Sequence, residues 1–263
     1  DYVDNSGRIE AERGYISLGA TSNGAVLDGG VLHSTTSVSR NGFVRLSGGD
    51  VQVGPGATIA IEVDDGKETI PQDPTSLDAF KTSKVEIGND ASRIKIGSNA
   101  MIYAPSADIS IGAAPGATTD PTVRENASRV FIDAGAVIDA AGLTDVLIPA
   151  SRASILIRPV KKNELRDTPD YKDGFLNGAE VYVDPRLSGV RADGVAWIGS
   201  PLIEAESYYQ QVGVTAAELM TRGGNVTLGT SSTAAGAGGQ APSVIVKAGA
   251  VIDISGGWVR YQA

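Results

Sequence analysis

Acidic side chains are the residues of this sequence with the most evident capacity for chemistry. A pair of carboxylates can act as general acid and base on a glycosidic bond, and a cluster of carboxylates can hold calcium. Either arrangement would occur in an enzyme or a cation-binding module that acts on polysaccharides. The candidates are Asp64 with Asp65, Asp133 with Asp139, Asp253, and the closely spaced Asp167, Asp170 and Asp173 before Gly174.

The spacing of these carboxylates favours structural roles. Asp139 and Asp253 occupy the same place in an internal repeat, so we expect them on one face of the molecule, several coils apart. A catalytic group normally interrupts a repeat, whereas these two follow it. The spacing of Asp167, Asp170 and Asp173 lacks the alternating ligands and distal Glu of an EF-hand, which favours a solvated loop, with a calcium site as the lesser alternative. We therefore predict no catalytic, metal-binding or cofactor-binding residues and no cofactor.

Other chemical motifs are sparse. His33 is the only histidine and cysteine is absent, so neither a histidine-rich metal site nor a histidine-dependent triad is supported. The glycine-rich stretch 236–239 does not end in Gly-Lys-Ser/Thr and does not open a helix, which predicts a flexible loop and not a phosphate site. Arg158, Lys161 and Lys162 are most simply a charged rim, with a sugar- or carboxylate-binding surface as the alternative.

The charge balance limits the classes of partner. The 263 residues carry a net charge of −9, so no basic footprint is expected that could neutralise nucleic-acid phosphates or hold an anionic membrane surface. No stretch approaches the roughly 20 apolar residues that a membrane helix needs. The absence of cysteine is typical of a chain exported unfolded into an oxidising compartment. We predict no nucleic-acid partner, no membrane insertion, and secretion to the cell surface or beyond.

The elements that must position these side chains are predicted by an internal repeat. Residues 130–142 return almost unchanged as 244–256, and the same frame fits 51–61 and, more loosely, 94–104. Each copy has a short alternating strand, then Gly or Asn, then Ala and a second short strand. A position that alternates between Gly and Asn predicts a left-handed backbone turn. The turn positions are Gly56, Asn99, Gly135 and Gly249.

The repeat predicts a stack of coils. The first two intervals between turn positions are each near twice a coil of about 20 residues, with Val85–Ile87 and Ile109–Ile111 as intermediate rungs. We predict an all-β, right-handed parallel β-helix, and the alternative is an ordinary β-sandwich with coincidental similarity. The expected inward column is Val51, Val53, Ile59, Ile94, Ile96, Ile102, Ile132, Ile138, Val246 and Ile252.

The repeat is interrupted between its third and fourth copies. We predict coils over 1–157, an excursion packed on the shaft over 158–224, and resumed coils over 225–263. In the excursion, Thr215 to Glu218 forms a capping box that predicts a short helix from about Ala216 to Thr221. The excursion also gathers aromatic residues, which either bind a partner or, as we favour, form its small core. These residues are Trp197, Tyr171, Tyr182, Tyr208 and Tyr209.

Several of these segments resemble a known family. The segments 143–150, 163–169, 182–185, 189–197 and 218–226 are similar to the interior of large filamentous-haemagglutinin-like exoproteins. The resemblance implies a β-helical shaft, export by an outer-membrane two-partner secretion transporter, and a role in adhesion or biofilm. The family's N-terminal secretion domain carries Asn-Pro motifs, and none occurs here. We therefore expect an internal segment of a longer protein.

Two functions follow from these features. We expect a structural and adhesive segment of a large secreted bacterial cell-surface exoprotein, mediating attachment or biofilm without enzymatic activity. Its expected partners are the secretion transporter during export and a host-cell, glycan or matrix receptor. The alternative is a β-helical polysaccharide lyase or hydrolase acting on acidic glycans. An exposed groove with converging Asp and Arg or Lys would favour the enzyme, and a smooth shaft with one protruding insertion would favour the adhesin.

Overall fold

Most of the described strands belong to three parallel sheets. A computed structural model describes residues 1–64, 68–72, 74–114, 128–158, 168–172, 174, 178–184, 187–201, 212–231 and 242–262. The first sheet contains, in spatial order, β1 (Tyr2–Asn5), β4 (Ala25–Asp28), β7 (Asp50–Val53), β11 (Arg93–Ile96), β14 (Arg129–Ile132) and β23 (Ser243–Val246). The second contains β2 (Arg8–Ala11), β5 (Val31–Thr36), β8 (Thr58–Val63), β12 (Met101–Tyr103), β15 (Val137–Asp139) and β24 (Val251–Asp253). The third contains β3 (Tyr15–Gly19), β6 (Phe43–Ser47), β10 (Lys84–Ala91), β13 (Asp108–Ala113) and β22 (Asn225–Thr230).

The remaining described strands form four two-stranded sheets. They pair β9 (Thr69–Pro71) with β21 (Gly213–Thr215), β16 (Val146–Pro149) with β25 (Val259–Gln262), β17 (Ile155–Ile157) with β18 (Val181–Val183), and β19 (Ser188–Val190) with β20 (Ala196–Ile198). The described helices are short: α1 (Pro74–Ala79), α2 (Pro169–Lys172), α3 (Ala216–Leu219) and a 3-10 turn at Ala150–Ala153. Within the described ranges, no helix is long and apolar enough to span a membrane.

Along the chain, successive strands of these sheets belong to the first, second and third sheet in turn. Strands β1, β2 and β3 lie in the first, second and third sheet, and β4, β5 and β6 repeat that order. Each strand pairs in parallel with its equivalent in the previous coil, so that Ile102 lies opposite Ile59 on one side and Ile138 on the other. Strands this short gain stability because every inner strand is hydrogen-bonded on both sides. The prediction of a mainly β chain with parallel strands is confirmed.

The core consists of columns of aliphatic side chains that share a register. In the second sheet, Leu32, Ile59, Ile102 and Ile138 are all 0% exposed. Eight of the ten predicted inward residues are at most 1% exposed, and the other two, Val246 and Ile252, are 45% and 38% exposed. Both lie on the inward face as predicted, because Val246 is opposite Ile132 and Ile252 is opposite Ile138. They continue the same aliphatic columns. They are more exposed because β23 and β24 are the outermost strands of their sheets, so a neighbouring strand shields each side chain on one side only.

The turn within each repeat has the predicted left-handed backbone. The φ angles are +71° at Gly56, +55° at Asn99, +73° at Gly135 and +87° at Gly249. The turns also contact each other, because Gly56 N donates to Ser98 O at 3.0 Å and Gly135 N donates to Gly249 O at 3.2 Å. The alternation of Gly with Asn therefore reflects a backbone requirement of the stack.

The prediction that the turns at Gly56 and Asn99 lie two coils apart is wrong. Thr58 pairs directly with Met101, so the turns at Gly56 and Asn99 belong to adjacent coils and not to coils two apart. The runs Val85–Ile87 and Ile109–Ile111, predicted as intermediate rungs, lie in β10 and β13 of the third sheet. The extra length comes from insertions between the strands of one coil, which leave the stacking register unchanged.

Contacts divide the chain into two compact units. The first comprises residues 1–68, 80–146 and 215–258, and the second comprises 69–79, 147–214 and 259–263. Two segments of the second unit are insertions, one between β8 and β10 and one between β15 and β22. In each case the insertion separates the second-sheet strand of a coil from its third-sheet strand. The earlier insertion was not anticipated. The boundaries 1–157, 158–224 and 225–263 stay a prediction.

The predicted short helix is present in the first unit as α3. Its N-cap residue Thr215 accepts a hydrogen bond from Glu218 N at 3.4 Å, and Thr215 N donates to the Glu218 carboxylate at 3.2 Å. These reciprocal bonds form the capping box that the sequence predicted. The helix ends at Leu219, slightly before the predicted end.

Candidate binding groove on the first sheet

The outer face of the first sheet contains an open groove of about 280 Å³. Strands β7, β11 and β14 form it, and we call it the basic groove. Its lining consists of Asp50, Gln52, Arg93, Ile94, Lys95, Arg129 and Phe131.

Strand alternation places these side chains on the outside. Val51, Ile94 and Val130 point into the core and are at most 1% exposed, so the residues on either side of each must point outward. The parallel register then aligns the outward residues in rows across the strands. One row is Asp50, Arg93 and Arg129, and the other is Gln52, Lys95 and Phe131.

The groove has one carboxylate among several cations. Arg93 Nη2 lies 3.0 Å from Asp50 Oδ2, and Gln52 Nε2 donates to Asp50 Oδ1 at 3.5 Å. Lys95 is exposed and has no hydrogen bond or ion pair within the described part of the chain. The described lining therefore contains three cations, Arg93, Lys95 and Arg129, and one carboxylate, Asp50.

A further cation extends the groove toward the next strand. Lys247, which directly follows β23, places its Nζ 5.7 Å from the centroid of the Phe131 ring. This cation–π contact holds a fourth positive charge beside Arg93, Lys95 and Arg129. Such an arrangement can bind an anion through charge-assisted hydrogen bonds.

No family model matches this sequence, and no curated protein and no solved structure is significantly similar to the chain. The resemblance to filamentous-haemagglutinin-like exoproteins therefore stays a prediction. Any functional statement depends on the geometry of the residues themselves.

The repeat-equivalent carboxylates Asp139 and Asp253 lie on one face, as predicted, but the expected separation of several coils is wrong. They are directly opposite each other in β15 and β24. Asp139 accepts a hydrogen bond from Ala141 N at 2.9 Å, and Asp253 accepts one from Ser255 N at 2.8 Å. The bond from Ser255 lowers the pKa of the Asp253 carboxyl from its ordinary value. Both carboxylates thus stabilise the turn that follows their own strand.

The remaining described carboxylate candidates also have local partners. Asp64 accepts a hydrogen bond from Arg13, whose Nη1 also donates to Glu68 at 2.5 Å. Asp133 accepts a bond from the neighbouring Ala134 N at 2.8 Å. Asp65, Asp167 and Asp173 lie outside the described residues, and Asp170 belongs to α2 without a described side chain. Among the residues described, no group of three or more His, Asp or Glu could hold a metal ion.

The predicted histidine and basic rim have acidic neighbours. His33 Nε2 lies 3.3 Å from Glu62 on the outer face of the second sheet. Arg158 makes an exposed ion pair with Glu180 at 2.7 Å. Lys161, Lys162 and the glycines of 236–239 lie outside the described residues.

Two of the five aromatic residues predicted for the excursion, Tyr182 and Trp197, have described side chains. Tyr182 is 70% exposed on β18, whereas the half-buried Trp197 on β20 packs against Gly189 of β19. The side chain of Tyr171 is not described, and Tyr208 and Tyr209 lie outside the described residues.

Sequence reasoning missed the basic groove. A signal was present, because Arg93-Ile-Lys-Ile and Arg129-Val-Phe-Ile both place cations at outward positions of consecutive repeat copies. The predicted coil length, however, placed these copies two coils apart. Only the direct pairing of β11 with β14 brings Arg93, Lys95 and Arg129 together.

Proposed function

We propose that this chain is a right-handed parallel β-helix segment of a large secreted bacterial cell-surface exoprotein, serving as a scaffold that also binds. The observation that supports it most is the rotation of successive strands through three parallel sheets with aligned aliphatic columns. Such stacking allows a chain to be extended coil by coil, which suits a long surface fibre. The residues quoted above for the family resemblance support the same assignment.

The adhesive part of the proposal is supported by the basic groove. A parallel sheet is a rigid support, so the outward side chains of β7, β11 and β14 are held in fixed rows. A rigid, pre-organised surface binds with a smaller entropic cost than a mobile one. The proposed partners are a glycan, matrix or host-cell receptor at the surface and the outer-membrane two-partner secretion transporter during export.

One observation favours the alternative of a β-helical polysaccharide lyase or hydrolase. Asp50, Arg93 and Lys95 converge in an open groove, which is the arrangement that we expected to favour an enzyme. Glycoside hydrolysis generally needs two carboxyl groups, whereas Asp50 is the one carboxylate among the described lining residues and is ion-paired with Arg93. The groove therefore suits binding better than hydrolysis.

The proposal is tested by location and by activity. Antibodies raised against the 263-residue chain should label intact cells of the bacterium that produces it, and deletion of its transporter should abolish the label. Labelling only after the cells are permeabilised would contradict a surface role. Incubation with polygalacturonate, followed by assay of new reducing ends and unsaturated products, tests the enzyme. Release of such products would favour the alternative.

A further inference from the structure

We infer that the outer face of the third sheet binds a neutral polysaccharide. This face belongs to a different sheet from the basic groove and is formed by β3, β6, β10, β13 and β22. The inference rests on the proposed function of a scaffold that also binds, and it names a second face and the ligand class of that face.

Strand alternation and parallel register place the outward side chains of this sheet in two rows. Buried residues on four of the strands, each at most 4% exposed, fix the outward direction of their neighbours: Ile16, Val44, Val85 and Ile109. The first row is Tyr15, Phe43, Lys84, Asp108 and Asn225. The second row is Ser17, Arg45, Glu86, Ser110 and Thr227. The two rows join aromatic, charged, amide and hydroxyl side chains on one surface.

One end of the first row carries an aromatic pair. The ring centroids of Tyr15 and Phe43 lie 4.8 Å apart, and the ring planes are tilted by 51°. Tyr15 is 53% exposed on β3, the outermost strand of the sheet, so its ring is available to a ligand. The face of an aromatic ring is electron-rich and packs against the weakly positive C–H groups on the apolar face of a pyranose. The pair is therefore suited to stacking with a sugar.

The charges of this face are balanced. Lys84 Nζ lies 2.5 Å from Glu86 Oε1, and Arg45 Nε lies 3.9 Å from Glu86 Oε2. Asp108 Oδ1 accepts a hydrogen bond from Asn225 Nδ2 at 2.9 Å. Two cations and two carboxylates thus leave the two rows without net charge. An uncharged ligand complements such a surface, whereas a polyanion such as nucleic acid finds no excess of cations on it.

The second row offers hydrogen bonds to a ligand rich in hydroxyl groups. The hydroxyls of Ser17, Ser110 and Thr227 make no hydrogen bond within the described ranges, and each can donate one bond and accept two. The four intervals between the five strands span about 19 Å, which suits an oligosaccharide better than a single sugar. A protein partner usually buries a larger apolar centre than one aromatic pair provides.

Two aligned glycines give independent support. Gly112 on β13 lies directly opposite Gly229 on β22, and each follows a residue of the second row by two positions. Neither has a positive φ, and an added Cβ at either would meet no described atom within 4 Å. Neither backbone conformation nor packing against the described residues therefore requires glycine here. Glycine inside a strand weakens it, and it commonly marks a place where a ligand approaches the backbone closely.

The test measures binding of the whole chain to defined polymers. Dextran, galactomannan and laminarin are the neutral probes, and polygalacturonate and sulfated dextran are the charged ones, in isothermal titration calorimetry at low and high salt. The variants Tyr15→Ala and Gly112→Val remove the exposed ring and cover the open backbone. The control Tyr2→Ala changes a tyrosine that is 61% exposed on the first sheet, and the control Gly256→Val changes an equally open glycine outside the third sheet. Melting curves establish that each variant is folded.

We expect at least one neutral polymer to bind, with an affinity that high salt changes less than about twofold because no net charge is neutralised. Tyr15→Ala and Gly112→Val should each weaken this binding at least about tenfold, and the two controls less than about twofold. Gly112→Val should also melt no lower than the wild type, since valine favours strands and the space is open.

Three outcomes would each overturn the inference: no binding of any neutral polymer, preference for a charged polymer, or equal losses in the variants and their controls. Antibody labelling of intact cells does not depend on these polymers. A surface location can therefore hold when the titrations fail, and the two proposals fail separately.

Discussion

Arg93 and Arg129 face each other directly across the parallel strands β11 and β14 on the outer side of the first sheet. Arg93 is also ion-paired with Asp50 on its other neighbouring strand. One row across the sheet therefore contains an acidic residue, Asp50, followed by two basic residues, Arg93 and Arg129. The aliphatic columns on the inner side of the same strands are continuous. Charged side chains are thus grouped on the outer face of these strands, while aliphatic side chains form a regular core on their inner face.

The buried carboxylate Asp28 should make stability fall with rising pH. Its side chain lies in the core, where Asn5 Nδ2 donates to Oδ1 at 2.8 Å, and Oδ2 is buried without a hydrogen-bond partner. Burial raises the pKa of Asp28 above its ordinary value of 3.8, despite the bonds from Asn5 and Gly30. The folded state therefore binds this proton more tightly than the unfolded state, so stability decreases as pH rises from 3.8 through the folded pKa.

The variant Asp28→Asn should flatten this part of the pH profile. It keeps an oxygen for the bond from Asn5 but carries no charge, so it should be more stable than the wild type near neutral pH. Denaturation with urea over a pH series measures this. The matched control is Asp4→Asn on the same strand as Asn5, where the side chain is exposed. Equal slopes for the wild type and Asp28→Asn would refute the assignment.

Alanine substitutions at two glycines should distinguish the cost of a left-handed backbone from the cost of a steric clash. Gly56 and Gly135 have similar φ angles, but an added Cβ at Gly56 meets nothing within 4 Å, whereas at Gly135 it meets the side chain of Asn99. Gly56→Ala should cost about 1–2 kcal/mol for the left-handed backbone alone, and Gly135→Ala should cost more. Gly56→Asn should cost least, because Asn occupies the equivalent position 99. Thermal melts would contradict this if the two alanine variants were equally stable.

Alanine substitutions within one aliphatic column should destabilise the protein by different amounts, depending on their place in the column. Ile138 and Ile252 lie directly opposite each other, yet they are 0% and 38% exposed. Ile138→Ala leaves a cavity in a closed core and should cost about 2–5 kcal/mol. Ile252→Ala removes a partly solvated side chain and should cost markedly less. Chemical denaturation of the two variants measures the difference, and a similar cost for both would show that β24 is fully covered.

The isolated 263-residue chain should associate end to end. Strands β23 and β24 are outermost in their sheets and expose Val244, Val246, Val251 and Ile252 by 38–49%. Because the sheets are parallel, this edge matches the opposite edge of a second copy, and the contact can propagate without closure. Sedimentation velocity should show concentration-dependent association that Val246→Lys/Ile252→Lys weakens. A strictly monomeric wild type at high concentration would count against it.

The sequence alone determined those features that depend on neighbouring residues. The left-handed turns at Gly56, Asn99, Gly135 and Gly249, the alternation that buries Ile59, Ile102 and Ile138, and the capping box at Thr215 are all confirmed. Each is encoded within a few residues, because backbone conformation, side-chain direction and helix capping are local properties.

The tertiary structure decided which repeat copies are neighbours. An insertion between two strands of a coil changes the spacing in sequence without changing the stacking, so the interval from Gly56 to Asn99 did not reveal that their coils are adjacent. The basic groove depends on that adjacency, since Arg93 and Arg129 meet only across the paired strands β11 and β14. The inward carboxylate of Asp28 likewise acquires its partner, Asn5, from the previous coil. Contacts between coils are set by hydrogen-bond register across the sheets, and register is a property of the folded chain.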